Sequence, residues 1–209
     1  MTIAREGLPL IATAGVLAAA AFGFGWTALG AVLVLATLAV AAFFRDPERN
    51  VPRGDDLVVS PADGRVVSIA EVGGDALFAD AATRISIFLS PLDVHINRAP
   101  VAGRVDEVRY QAGKFFAAYK EDASRLNEQN ALRIVDERER NWGVVQIAGF
   151  LARRIVCRVA AGAALARGEK FGLIMFGSRT DIYLPKGCQV EATEGQRVTG
   201  GETILGRFV

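Results

Sequence analysis

Gly177-Ser178 sits in KFGLIMFGSRTDIYLP, residues 170–185, where one apolar stretch runs directly into another. A Gly-Ser pair is ordinarily a turn, because glycine frees the backbone and serine bonds back to it. It is also a dipeptide at which a chain can cut itself to make a catalytic group, the hydroxyl acting as nucleophile. The two residues alone do not choose between these readings. The one histidine of the chain, His95, stands in SPLDVHINRAP (residues 90–100), two positions after Asp93 and beside Asn97 and Arg98. A solitary histidine is as a rule structural, but a dense polar cluster directly after an apolar strand favours a site. Asp63 lies in SPADGRVV (residues 60–67), which on its own reads as a strand, a turn and a second strand. There Pro61 fixes a backbone angle, Asp63 bonds into the turn and Gly64 permits it.

Two further stretches are ambiguous. GKFFAAYKEDASRLNEQN, residues 113–130, joins Phe115, Phe116 and Tyr119 to the polar run Asn127-Glu128-Gln129-Asn130. Taken alone it reads as a surface helix with a solvated end. Arg153, Arg154, Arg158 and Arg167 fit either solvated strand faces or a surface that meets anionic lipid. With a single histidine and only Cys157 and Cys188, neither a zinc site nor a disulfide framework is expected, so no metal is assigned and a reducing compartment is the plainer inference.

These residues need a scaffold, and the hydropathy pattern supplies one. From Gly7 to Phe44, 38 consecutive residues carry no charge. A single membrane span needs about 20 residues, so this run suits two short spans with a tight turn at FGFGW. Residues 1–44 are therefore expected to form a hydrophobic helical hairpin. Arg5 precedes it and Arg45, Arg49 and Arg53 follow it, a distribution that puts both ends on the cytoplasmic side.

Residues 45–209 read as a second, β-rich domain. RISIFLS alternates, with Ile85, Ile87 and Leu89 on one face, and further strands are expected at LVVS, GRVVSIAEV, GRVDEVRY, NALRIVDE, WGVVQIAGF, RRIVCRV, KFGLIMF and TDIYL. Short strands at this density predict a mostly β fold, a compact barrel or sandwich. The C-terminal VEATEGQRVTGGETILGRFV resembles the two-strand, Gly-turn pattern of lipoyl and biotinyl carrier modules, and AAGAALARG reads as helical or loop. This domain holds 23 Lys plus Arg against 22 Asp plus Glu, a balance that gives no electrostatic reason to expect nucleic acid.

Together, SPADG, DVHINR, the GKF and NEQN segment, FGSR and the apolar N-terminus occur in an order that resembles the phosphatidylserine decarboxylases, in their short bacterial branch. The resemblance covers nearly the whole chain. It implies a proenzyme cut between Gly177 and Ser178 into residues 1–177, a β chain, and residues 178–209, an α chain, which remain together as a heterodimer with a higher oligomer open. It implies that Ser178 becomes a pyruvoyl cofactor, which holds phosphatidylserine as a Schiff base and releases phosphatidylethanolamine and carbon dioxide. His95 corresponds to the family's active-site histidine. Asp63 corresponds to an aspartate of the self-cleavage relay in the longer branch. That branch has a second histidine where this chain has Arg98, so a relay from Asp63 to Ser178 either runs through His95 or takes another form.

The expected location is the cell membrane, with the catalytic domain on the cytoplasmic side, since a diacyl lipid leaves a bilayer only at about 0.8 kcal/mol per methylene. Phe115, Phe116 and Tyr119 suit acyl-chain contact or core packing equally. A decarboxylase of an ether-linked serine phospholipid shares all the head-group chemistry. A membrane-anchored, non-catalytic adaptor on a lipoyl-like module is the alternative of a different class, and it requires an uncut chain.

Overall fold

A computed structural model of the protein describes residues 2–74, 78–116, 126–149, 154–175 and 177–208. Two compact units emerge, Met1–Glu48 and Arg49–Val209.

In the first unit, β1 (Thr2–Ile3) pairs with β2 (Arg45–Asp46), closing the two ends of a helical pair. Its helices are α1 (Leu8–Gly23) and α2 (Thr27–Phe43). Neither carries a charged residue in its terminal turns, and side chains such as Val16, Leu17, Val32, Leu35 and Leu38 are exposed. At 1.5 Å per residue the helices measure about 24–26 Å, somewhat less than the roughly 30 Å hydrocarbon core of a bilayer. With the turn that precedes α1, Arg5–Gly23 is long and apolar enough to cross a membrane by length and composition. The expected turn at FGFGW forms: Gly25 adopts φ +79°, and exposed Phe24 and Trp26 lie 5.7 Å apart between ring centroids.

The second unit contains β3 (Leu57–Val59), β4 (Gly64–Glu71), β5 (Ala81–Leu89), β6 (Ile96–Arg98), β7 (Gly103–Gln111), β8 (Gln129–Val135) and β9 (Asn141–Ile147). It continues with β10 (Ile155–Cys157), β11 (Ala164–Leu165), β12 (Lys170–Ile174), β13 (Ser178–Pro185), β14 (Cys188–Val190), β15 (Arg197–Val198) and β16 (Ile204–Phe208). The mostly β expectation holds, and a curled eight-stranded sheet dominates, in the order β11-β7-β8-β9-β13-β5-β4-β15. Two three-stranded sheets, β10-β12-β6 and β14-β16-β3, complete the unit. All pairings between these strands are antiparallel.

The period-2 pattern decides which way the large sheet faces. Ile85, Ile87 and Leu89 of β5, Leu132 and Ile134 of β8, Trp142 and Val144 of β9, and Ile182 and Leu184 of β13 are all fully buried in one core. The other face holds a smaller cluster of Phe78, Ala81, Ala131, Val145 and Ile147, where Tyr183 stacks on Phe78 at 4.7 Å. Two details differ from the sequence reading: the strand expected over residues 153–159 is only Ile155–Cys157, and AAGAALARG contributes the short strand β11. The two strands expected in the C-terminal stretch are β15 and β16, after Val190 closes β14. Cys157 and Cys188 are free, and burial pushes the Cys188 thiol up to about 11.

Candidate active site

Ser178 opens β13, the strand at the heart of the large sheet, and its neighbours fix it there. It registers with Leu89 of β5, and Arg179 registers with both Phe88 and Ile147. The preceding strand, β12, belongs to a different sheet, so residues 175–177 carry the chain from one sheet to the other. Gly177 makes this crossing with φ +62°, in the left-handed region that costs an L-residue about 1–2 kcal/mol. A side chain there would meet no atom within 4 Å, so glycine serves the backbone angle and not the space. Ser178 is fully buried, and its Oγ has no hydrogen-bond partner among the described residues. A buried hydroxyl without a partner forfeits about 1–3 kcal/mol, a cost Ser178 shares with Ser86 of β5.

His95 is the side chain that meets this peptide. It precedes β6, which pairs with β12, and its carbonyl accepts the Ile174 N–H at 3.2 Å. That contact brings the 2 % exposed imidazole up to the crossing, where the Gly177 N–H donates to Nε2 at 3.3 Å. A nitrogen that accepts cannot carry the proton, so the proton sits on Nδ1, which donates to the Asp93 carbonyl at 2.9 Å. The Asp93 carboxylate is engaged elsewhere, accepting the Ser90 N–H at 2.8 Å and Arg197 at 3.0 Å. The backbone of Asp93, not its charge, therefore holds the ring in the tautomer whose Nε2 accepts the Gly177 N–H.

Asp63 takes a different set of partners. Arg49 donates to its two oxygens at 2.8 and 3.0 Å, and the Gly200 N–H donates at 2.8 Å. Burial pushes the carboxyl above the ordinary carboxylate range, with Arg49 and then the Gly200 N–H pulling it back and Asp93 adding to the rise. The structure thus bonds His95 to the Gly177 N–H, one residue before Ser178, and bonds Asp63 to Arg49 and Gly200. Arg98, at the place of the longer branch's second histidine, is buried and donates to the Gly168 carbonyl at 3.0 Å.

Several residues acquire roles that the sequence did not suggest. Asn127 and Asn130 are buried and not part of a solvated end. Asn127 bonds both backbone atoms of Phe116 and the Ala148 carbonyl, strapping the 114–116 segment to the sheet. Arg167 bonds the carbonyls of Pro52, Gly54 and Leu57, which makes it a loop brace and not a lipid contact. Phe116 is 41 % exposed, while Tyr119 and Arg153 lie outside the described residues. Immediately after Ser178, Arg179 and Asp181 form a bidentate ion pair, both bonds 2.6 Å, with side chains only 4 % and 0 % exposed.

The buried hydroxyl, the left-handed glycine and the accepting imidazole together suit a base-assisted attack of Ser178 Oγ on the peptide before it. Comparison with known proteins agrees in kind. The family described as phosphatidylserine decarboxylase matches residues 36–206. A protein of Symbiobacterium thermophilum named phosphatidylserine decarboxylase proenzyme is 49 % identical over 206 residues, covering 99 % of this chain and 95 % of its own. Proteins of the same name from Gluconobacter oxydans and Syntrophus aciditrophicus are 52 % and 42 % identical, over 79 % and 99 % of this chain and 75 % and 97 % of theirs.

Proposed function

The chain belongs to the phosphatidylserine decarboxylase family, and from that membership we propose a membrane-anchored proenzyme that cuts itself at Gly177-Ser178 and decarboxylates phosphatidylserine. The observation that carries this reading is the Gly177 N–H on His95 Nε2, next to a buried and unbonded Ser178 hydroxyl.

In the first step Ser178 Oγ attacks the Gly177 carbonyl carbon. His95 Nε2 gives up the Gly177 N–H and takes the hydroxyl proton, the C–N bond breaks, and the freed nitrogen takes that proton from the imidazolium, giving an ester and an amine. Loss of the Ser178 Cα proton then breaks the Cβ–O bond. Gly177 departs as a carboxylate and residue 178 becomes dehydroalanine. Its tautomer takes up water and releases ammonia, leaving a pyruvoyl group at the start of β13. Bond by bond, one water is consumed and one ammonia is formed.

The site fits that group, because a buried position with an unbonded oxygen and an adjacent imidazole can hold a ketone without a competing hydrogen bond. When present, the pyruvoyl group supplies an electrophilic carbonyl that takes the amine of the substrate and draws electrons from the bond to its carboxylate. The chain's own residues then orient and move protons: Asp93 fixes the His95 tautomer, and His95 takes and returns protons at residue 178. Asp63, clamped by Arg49, shapes the charge near the site rather than relaying a proton. The 1–44 hairpin anchors the chain, and Arg5 and Arg45 flanking it favour a cytoplasmic orientation.

Intact-protein mass spectrometry tests the reading. The expected spectrum shows two species, the smaller beginning at residue 178 with a ketone in place of the serine amine and hydroxyl. Ser178→Ala stays whole and inactive. A single uncut mass from active, folded protein would instead favour the non-catalytic adaptor. Deleting residues 1–44 is expected to move the chain from the membrane to the soluble fraction.

A further inference from the structure

A line of buried amide and hydroxyl groups crosses the main core one step from Ser178. Asn130 of β8, Gln146 of β9 and Thr180 of β13 are register partners, Asn130 with Gln146 and Gln146 with Thr180, so they form one rung of the large sheet. Exposures of 3 %, 0 % and 0 % place them in its interior. The next rung along is apolar, with Leu132, Val144 and Ile182. In the other direction on the same face lies Ser178, two residues or about 7 Å along the strand. The Asn130 Nδ2 donates to Gln146 Oε1 at 3.1 Å. Gln146 Nε2 donates to Asn97 Oδ1 at 2.8 Å, and Asn97 Nδ2 donates to Thr180 Oγ1 at 3.0 Å.

Asn97 is the member that belongs to the other sheet. It is fully buried on β6, two residues after His95, as Thr180 is two residues after Ser178. Room for the crossing comes from Gly172 of β12: a Cβ there would lie 3.0 Å from Gln146 Nε2 and 2.2 Å from the Val156 carbonyl oxygen. Stability alone does not call for such a rung, since a buried polar network replaced by well-packed apolar groups is often neutral or better. Its distinguishing property is direction, because amide hydrogen bonds fix the separation and register of the groups they join, which apolar contacts do not.

We infer that Asn97, Thr180 and Gln146 are positioning residues that lock the His95 strand to the Ser178 strand. They hold the imidazole at the Gly177 N–H, next to the bond to be cut, and keep residue 178 in reach of His95 after the cut. The inference rests on the self-cleavage reading. In the uncut chain, residues 175–177 tie the two sheets covalently at this point. Once that bond is open, the Asn97–Thr180 and Asn97–Gln146 bonds tie them next to the site. Displacements of about 1 Å at a reacting group can cost 10²-fold in rate, so a loosened rung appears in the chemical step and not in binding.

The test compares Thr180→Val, which keeps shape and loses the hydroxyl, with Thr180→Ser, which keeps the hydroxyl. Ile182→Val, one apolar rung away, serves as the control for general core loosening. Full-length protein made in lipid nanodiscs is followed for rate of cutting by gel and intact mass. The cut fraction is then assayed for kcat and KM on phosphatidylserine in mixed micelles, per mole of pyruvoyl chain. The expected result is cutting and kcat each lowered about tenfold or more in Thr180→Val, with KM held and most of the rate restored in Thr180→Ser. Should Thr180→Val fail to accumulate, Asn97→Leu with Thr180→Val removes both ends of that bond and leaves Gln146 Nε2 its 3.4 Å contact to the Val156 carbonyl, and the double variant is expected to fold and remain slow to cut. Wild-type rates in either folded variant overturn the inference, as does slowing no greater than an Ile182→Val protein of equal melting temperature. An uncut, active wild-type protein overturns the self-cleavage reading itself, a result recognisable before any variant is compared.

Discussion

Replacing His95 by glutamine separates two jobs that the imidazole holds at once. Glutamine offers an oxygen that can accept the Gly177 N–H, as Nε2 does at 3.3 Å, but it cannot take a proton. If His95 only anchored the peptide, its loss would remove one hydrogen bond of about 0.5–1.5 kcal/mol, a change of about 2- to 13-fold in cutting, and glutamine would recover most of it. If His95 is the base, loss of proton transfer slows cutting by about 10²–10⁴-fold, and glutamine recovers almost nothing beyond alanine. The buried and otherwise unbonded Ser178 hydroxyl predicts the second outcome. The assay is cell-free synthesis into nanodiscs, with the uncut and cut chains resolved over time on gels. His95→Gln and His95→Ala are expected to remain uncut while wild type is converted. Cutting of His95→Gln within about tenfold of wild type would refute the assignment of the base, leaving His95 an anchor only.

Two further outcomes follow from charged pairs. Arg49→Leu removes the main group that holds Asp63 down, so the carboxyl rises further above its unfolded value. A carboxyl raised by folding gives stability that is present below the unfolded pKa and lost as pH rises through the folded one, so the variant's deficit against wild type grows as pH rises above about 4 in thermal unfolding. A deficit that does not change with pH would show that Arg49 and Asp63 are not electrostatically coupled. Arg179→Met leaves the fully buried Asp181 without its bidentate partner, which costs about 3–5 kcal/mol and lowers the melting temperature by roughly 6–20 °C. Adding Asp181→Leu restores most of that loss, and a single-variant shift of under about 2 °C would contradict the pair's burial.

The readable parts of the sequence were those where a local pattern had one physical meaning. Thirty-eight uncharged residues admit little besides an apolar helical hairpin, and alternation through Ile85, Ile87 and Leu89 declared a half-buried strand. Ser178 and His95 stood out because reactive types stood in short ordered motifs, and His95 accepts the N–H of Gly177, the residue before Ser178. β6 was not, since Ile96-Asn97-Arg98 buries all three residues, two of them polar, and so has no hydropathy signature. The same holds for Asn127 and Asn130, whose polarity suggested solvent but whose amides are used inside the sheet. Arg49 lies in a loop fourteen residues from Asp63, and Asn97 is 49 residues from Gln146. Such partners are chosen by tertiary geometry, for which spacing along the chain holds no rule.

The place of β13 in the sheet bears on what the protein becomes after maturation. Residues 178–209 contain the strand between β5 and β9, the edge strand β15, and two of the three strands in the smaller β14-β16-β3 sheet. Under the proposed cut at Gly177-Ser178, a fragment threaded in this way leaves only by dismantling both sheets. Opening that peptide would create two polypeptides but no exchangeable subunit, and one active centre per translated chain.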